Sequence, residues 1–261
     1  MIPGENTPGL LIGLTFYKRP VQPDWAVSLA HLVGSLPINT SWGFSIASDA
    51  PIAVARNAIA EEALKTKVKY LLFLDDDTAP QNFAVTRLMS ILESDPKVAA
   101  AGGIYFTKTN PPQPIVARKF GQGPSYDWKL GDVFECQVLG TGCMMIRADV
   151  FNHIERPWFA EVNEMNPSEN INAIRMTDDC YFLKKVIEAG YKIMADGGTL
   201  PIHWDVTTGE NYRCPADSPM AQAYVKSLEQ PKQKISFTPE NPGEENGLRT
   251  TERMAAGQAA D

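Results

Sequence analysis

Between Leu10 and Tyr105 the chain changes hydrophobic period repeatedly, and this constrains its fold most. LLIGLTF (Leu10 to Phe16), WGFSIAS (Trp42 to Ser48), KYLLFLD (Lys69 to Asp75) and VAAAGGIY (Val98 to Tyr105) are apolar runs of strand length. Between them lie stretches of helical spacing: Asp24 to Ser35, a run from Pro51 through IAVARNAIAEEALKTK, and Pro80 to Asp95. Asp49 stands where a cap for the second helix would be, with Pro51 in its first turn. Strand and helix in strict alternation predict an α/β fold with a parallel sheet covered on both faces.

Beyond Tyr105 the pattern changes. Lys108 to Lys129 is rich in Pro, Gly and aromatics and has no period, and Arg156 to Arg175 is irregular too. Long excursions of this kind usually carry function. DVFECQVLG and GCMMIR predict two strands broken near Gly140 and Gly142. Thr177 to Gly190 has the start and stop signals of a helix, and YKIMA and LPIHW are short strands. Residues 231–261 hold few large apolar side chains, so this tail is expected to be mobile or to wrap over the body or a partner subunit.

The third apolar run ends in Asp75, Asp76 and Asp77. In open parallel sheets, ligands bind beyond the carboxyl ends of the strands. Carboxylates there suit Mg2+ or Mn2+ bridging to substrate phosphates. The simpler alternative is a turn capping the helix that begins near Pro80. One Asp would serve as a cap; three in a row favour the metal. Asp178 and Asp179 open a helix, where capping and catalysis are both open readings. Arg56 and Asn57 interrupt an apolar helix face, as a solvated pair or as groups reaching a phosphate. His203 follows a short strand, where a structural role and a ligand role both remain open.

The totals narrow the classes without excluding a local basic groove. Of 261 residues, 44% are hydrophobic and 21% charged, as in ordinary globular chains, and a net charge of −7 gives no indication of nucleic-acid binding. MIPGENTPGL lacks a basic region followed by an apolar run, so no signal peptide is expected, and no run has membrane-spanning length. No membrane anchor and a cytoplasmic location are the expectation. Cys136, Cys143, Cys180 and Cys214 have no C-x-x-C spacing and are expected to be reduced.

Taken in order, T-F-Y, A-R-N, L-L-F-L-D-D-D, G-T-G-C-M-M-I-R, T-D-D-x-x-F and a late His resemble the glycosyltransferases of the GT-A fold. The style is that of the family-2-like and mannosylglycerate-synthase-like group, over roughly residues 8 to 206. The resemblance implies a Rossmann-type, mostly parallel sheet flanked by helices, with a small antiparallel extension on the acceptor side. It implies a single catalytic domain over 1–230, with a nucleotide-sugar part at about 8–105 and an acceptor part at about 106–206.

It also implies roles. Asp75 and Asp77 would be the D-x-D carboxylates, with Asp76 beside them at the donor; Asp75, Asp77 and His203 would hold Mn2+ or Mg2+. Thr15 and Tyr17 would lie at the nucleotide base, Arg56 and Asn57 near the donor, and Gly140 and Gly142 at the sugar. Asp179, with Asp178 beside it, would supply the general base. The sequence has D-D where relatives often have E-D, which leaves open which of the two faces the acceptor. The implied reaction moves a sugar from a UDP- or GDP-sugar to a hydroxyl acceptor, with inversion favoured over retention. A homo-oligomer is compatible with this reading.

LLFLDDDTAP also resembles the signature of haloacid-dehalogenase-type phosphohydrolases, with Asp75 as nucleophile and Asp77 as acid/base. Against it, two strand–helix units precede the motif. A non-catalytic nucleotide-sugar-binding module is a further alternative. A nucleotidyltransferase would need a basic, Gly-rich N-terminal loop, and no basic residue precedes Lys18.

Overall fold

The computed structural model describes residues 9–18, 20–165 and 173–215. The tail at 231–261 lies outside the described residues. The first half comprises β1 (Gly9–Phe16), α1 (Pro23–Gly34), β2 (Ser41–Ser48), α2 (Ile52–Lys65), β3 (Tyr70–Asp75), β4 (Thr78–Ala79), α3 (Ala84–Ser94) and β5 (Val98–Gly103). Next come β6 (Val116–Ala117), β7 (Val133–Cys136), β8 (Val138–Leu139), β9 (Cys143–Arg147) and a 3-10 turn (Ala148–Asn152). Last are β10 (Val162–Met165), β11 (Ala173–Met176), α4 (Asp178–Glu188), β12 (Lys192–Asp196), β13 (Ile202–Trp204) and β14 (Asn211–Tyr212).

Among the described residues the main sheet has seven strands in the order β2-β1-β3-β9-β5-β12-β7. β2 and β3 run parallel to β1, and β12 runs parallel to β5. β9 is antiparallel to both β3 and β5, so these two share one direction, and β7 is antiparallel to β12. The sheet is therefore mostly parallel, as expected. The G-C-M-M-I-R strand sits at its centre, between β3 and β5. The smaller antiparallel pieces are β10-β11, β6-β8 and β14-β13-β4.

Alternation along the central strands divides the core in two. Leu11, Leu71, Phe73, Met144 and Ile146 pack with Ile59, Ala60 and Ala63 of α2 and Phe182, Leu183 and Val186 of α4. Leu10, Ile12, Leu14, Leu72, Leu74 and Met145 pack with Trp25 and Leu32 of α1 and Leu88, Ile91 and Leu92 of α3. A sheet buried on both faces explains why these strands are apolar throughout.

Two helix starts differ from expectation. Pro51, not Asp49, is the N-cap of α2, and Asp49 lies before it with φ 59. α3 begins at Ala84, because Thr78 and Ala79 form β4, which pairs with β13. The aspartate triplet is thus cut off from α3 and caps no helix there. Gly190, with φ 86, ends α4 as expected.

Candidate active site

Asp75 is the last residue of β3 and pairs in register with Thr15 of β1. Thr15 Oγ1 donates to Asp75 Oδ1 at 2.7 Å, and Trp25 Nε1–H donates to the Asp75 carbonyl at 2.8 Å. Arg56 reaches the same carboxylate from α2. One of its terminal nitrogens contacts Asp75 Oδ1 at 3.0 Å and Oδ2 at 2.9 Å. The other contacts Asp178 Oδ2 at 2.6 Å. Arg56 is buried. Burial opposes its charge, but Asp75 and Asp178 outweigh burial and raise its pKa. One guanidinium therefore ties the end of β3 to the start of α4.

Asp76 Oδ2 accepts the Tyr17 backbone N–H at 3.0 Å, which fixes the turn leaving β1. Asp77 points the other way. Its backbone carbonyl accepts the Trp204 N–H at 2.7 Å, through the contact between β4 and β13. Its Oδ2 lies 2.6 Å from Lys108 Nζ and 3.6 Å from His203 Nε2. Burial works to raise the Asp77 pKa; His203 and Lys108 overcome it and hold the carboxyl well below the usual range.

His203 Nδ1 donates to the Phe106 carbonyl at 2.7 Å, which turns Nε2 toward Asp77. A carbonyl can only accept, so Nδ1 carries the proton of this contact. This is how proteins commonly orient a metal-binding imidazole. Asp77 and His203 therefore offer two donor atoms of types that a divalent cation such as Mn2+ accepts. Among the described residues, no three His, Cys, Asp or Glu side chains converge into one ligand set. Asp75 faces Thr15 and Arg56 instead of joining the other two.

Gly140 and Gly142 sit against Tyr105. A Cβ on Gly140 would lie 2.1 Å from the Tyr105 hydroxyl oxygen, and one on Gly142 would lie 2.7 Å from Thr78 Oγ1 and 3.2 Å from Asp75 Oδ2. The Gly142 N–H donates to the Tyr105 hydroxyl at 3.1 Å, and the Asp75 N–H donates to the Gly142 carbonyl at 3.1 Å. Both glycines are thus required for close approach to the acidic edge. Burial, with Asp75 and Asp179 nearby, pushes the Tyr105 pKa well up, so its hydroxyl stays protonated. Thr141, between the glycines, has a buried hydroxyl with no hydrogen-bond partner.

The two aspartates of α4 have different surroundings. Asp178 is buried on Arg56; burial raises its pKa, partly offset by the guanidinium. Asp179 is half-buried; its Oδ1 accepts from the Thr177 hydroxyl and from the Cys180 N–H at 2.8 Å.

A cavity of about 350 Å3 opens at this edge, lined by Thr15, Phe16, Tyr17, Ala50, Ile52, Ala55 and the three aspartates. A larger cleft of about 710 Å3, bordered by Asp24, His31, Phe83, Trp204 and Arg213, contains none of the residues singled out in the sequence.

Thr15, Tyr17, Arg56, Asp75, Asp76, Asp77, Gly142, Asp178 and His203 are thus joined by direct contacts or line one cavity. Asn57 is engaged elsewhere. Its amide donates to the carbonyls of Ala53 and Phe159, each at 2.7 Å, and its oxygen accepts the N–H groups of Trp158 and Phe159. Of the aromatics in the two irregular stretches, Trp128, Trp158 and Phe159 are buried in the core, whereas Tyr126 is exposed. Tyr105 and Lys108 are not apparent as site residues in the sequence. Their one available signal is position, just beyond the carboxyl end of an apolar strand.

No protein-family model matches the sequence, and no curated protein matches it. Solved structures do match. The crystal structure of A197 from STIV aligns with a TM-score of 0.54 and 19% identity, over 78% of this chain and 94% of that one. The crystal structure of GalNAc-T7 with UDP, GalNAc and Mn2+ aligns with a TM-score of 0.53 and 11% identity, over 87% of this chain. The match spans 48% of the GalNAc-T7 chain, about half its length. At these identities the likeness concerns the fold, which is GT-A-like.

Proposed function

We propose that this chain is a metal-dependent glycosyltransferase that moves a sugar from a nucleoside-diphosphate sugar to a hydroxyl acceptor. The observation that carries the reading is the joined acidic edge. Asp75 at the end of β3 is linked through Arg56 to Asp178 of α4, and Asp77 beside it faces His203 Nε2. The GT-A-like fold and a neighbour holding UDP, GalNAc and Mn2+ support it.

In this reading Thr15, Phe16 and Tyr17 form the wall of the nucleotide cavity, and Asp76 fixes that wall through the Tyr17 N–H. Asp77 and His203 hold Mn2+ or Mg2+, which would offset the charge developing on the departing diphosphate. Asp75 is oriented by Thr15 and Arg56 toward the donor. Arg56 positions carboxylates and does not itself touch the leaving group, since both its terminal nitrogens are engaged. Gly140 and Gly142 let the sugar approach the backbone. Asp179, the more exposed of the α4 pair, accepts the proton of the attacking hydroxyl, with inversion at the anomeric carbon. Tyr105, held protonated, keeps its hydroxyl on the Gly142 N–H and steadies the pocket floor.

The phosphohydrolase alternative is disfavoured. It needs Asp75 as an open nucleophile, yet that carboxylate is held by Thr15 and Arg56.

The test is a panel of UDP- and GDP-sugars with Mn2+ or Mg2+, read as released nucleoside diphosphate. Asp77→Ala is expected to lose more than the roughly 100-fold typical of removing a metal's outer-shell partner. Turnover that survives in Asp77→Ala overturns the metal assignment.

A further inference from the structure

Lys108 holds the Asp77 oxygen that the preceding reading gives to a divalent cation. Its Nζ is 2.6 Å from Asp77 Oδ2, the same oxygen that lies 3.6 Å from His203 Nε2. An ammonium and a divalent cation need the same oxygen in the same small space. The Lys108 side chain is mostly covered, and Asp77 is buried, so solvent screens their attraction only in part.

The ammonium is also delivered by an ordered support. The Thr107 N–H donates to the Gln113 carbonyl at 2.8 Å, and the Gln113 N–H donates to Thr107 Oγ1 at 2.9 Å, closing the loop that carries Lys108. Phe106, two residues before Lys108, accepts from His203 Nδ1, and the Tyr105 ring packs edge-on against the imidazole with centroids 5.1 Å apart. The segment that aims His203 at Asp77 therefore also carries Lys108 to Asp77.

Resting on the metal-dependent reading, we propose that Lys108 is a resident counter-ion that occupies the cation position at Asp77 in the free protein and competes with the incoming metal. The ammonium neutralises charge on a buried carboxylate that stands beside Asp75 and Asp76. The same contact lowers metal affinity in the absence of donor, because each divalent ion must displace it. The donor's diphosphate brings negative charge that both the metal and the released ammonium can share, so metal and donor are expected to bind more tightly together than apart.

The test is direct Mn2+ binding, measured by the loss of free-ion electron paramagnetic resonance signal, without nucleotide and then with UDP. Lys108→Met keeps the length of the stem and removes the charge; Lys108→Arg keeps the charge. Circular dichroism checks that both fold. Without nucleotide, Lys108→Met is expected to bind Mn2+ about 10-fold more tightly than the natural protein, the order expected for losing one competing ion pair. Lys108→Arg is expected to stay near the natural affinity. With UDP, the gain for Lys108→Met is expected to shrink. Unchanged or weaker Mn2+ binding by Lys108→Met overturns the competition while leaving the metal site in place. Failure of all three proteins to bind Mn2+ at any concentration tested, with or without UDP, overturns the metal-dependent reading and this inference with it.

Discussion

At Gly140 a single missing methyl group decides whether the acidic edge can form. A Cβ there would meet the Tyr105 hydroxyl oxygen at 2.1 Å, far inside contact distance, and Tyr105 has no open space to retreat into because it is buried. Gly140→Ala is expected to displace the ring, break its bond to the Gly142 N–H and cost about 1–3 kcal/mol as an overpacked core does. A lowered urea midpoint together with reduced diphosphate release checks this. The residue types of the site are readable from sequence: three carboxylates at a strand end and a pair at a helix start. Their pairing is not. Arg56 and Asp178 are 122 positions apart, and nothing in local spacing says that one guanidinium will serve both ends.

The elements themselves are readable for a physical reason. Burial on both faces forces apolar runs of strand length, and the helices carry their periods in Trp25, Leu32, Ile59 and Leu88. Direction is not encoded this way. An apolar run such as C-M-M-I-R looks the same whichever way it points, so the antiparallel placement of β9 between β3 and β5 cannot be read from it. The start of α3 is also missed, because Thr78 and Ala79 are claimed by pairing with β13 rather than by the helix. Asn57 shows the same tertiary override. It looks like a ligand on a helix face, yet its side chain holds the Trp158–Phe159 backbone to α2. Asn57→Ala would leave those backbone groups without partners, at a cost of about 1–3 kcal/mol. Urea unfolding gives the magnitude, and faster amide exchange confined to residues 158–159 locates it.

For the molecule as a whole, the two faces of one sheet supply two cores, and the site lies on the edge where both end. Among the described residues no helix is long and apolar enough to cross a membrane. Acid stability is expected to depend on Asp196, at the end of β12. Burial works to raise its pKa, but Arg87, Thr199 and the Gly198 N–H bind the carboxylate and lower it. A folded value below the unfolded one, about 3.9, means that the stabilisation is complete above the unfolded value and is lost as pH falls from there through the folded value. Asp196→Asn is therefore expected to be less stable near neutral pH by about 1–3 kcal/mol, the partly exposed Arg87 moderating the loss. Its stability should also decline less steeply between about pH 5 and pH 2. Thermal melts across that range check both.

The central position of β9 has a consequence for biosynthesis. As the polypeptide emerges from the ribosome, β1, β2 and β3 are complete long before Cys143 to Arg147 exist, and β5 follows while both its native neighbours, β9 and β12, are still unmade. Until the closing strand arrives, two apolar strands each present an open hydrogen-bonding edge, which other nascent chains can find.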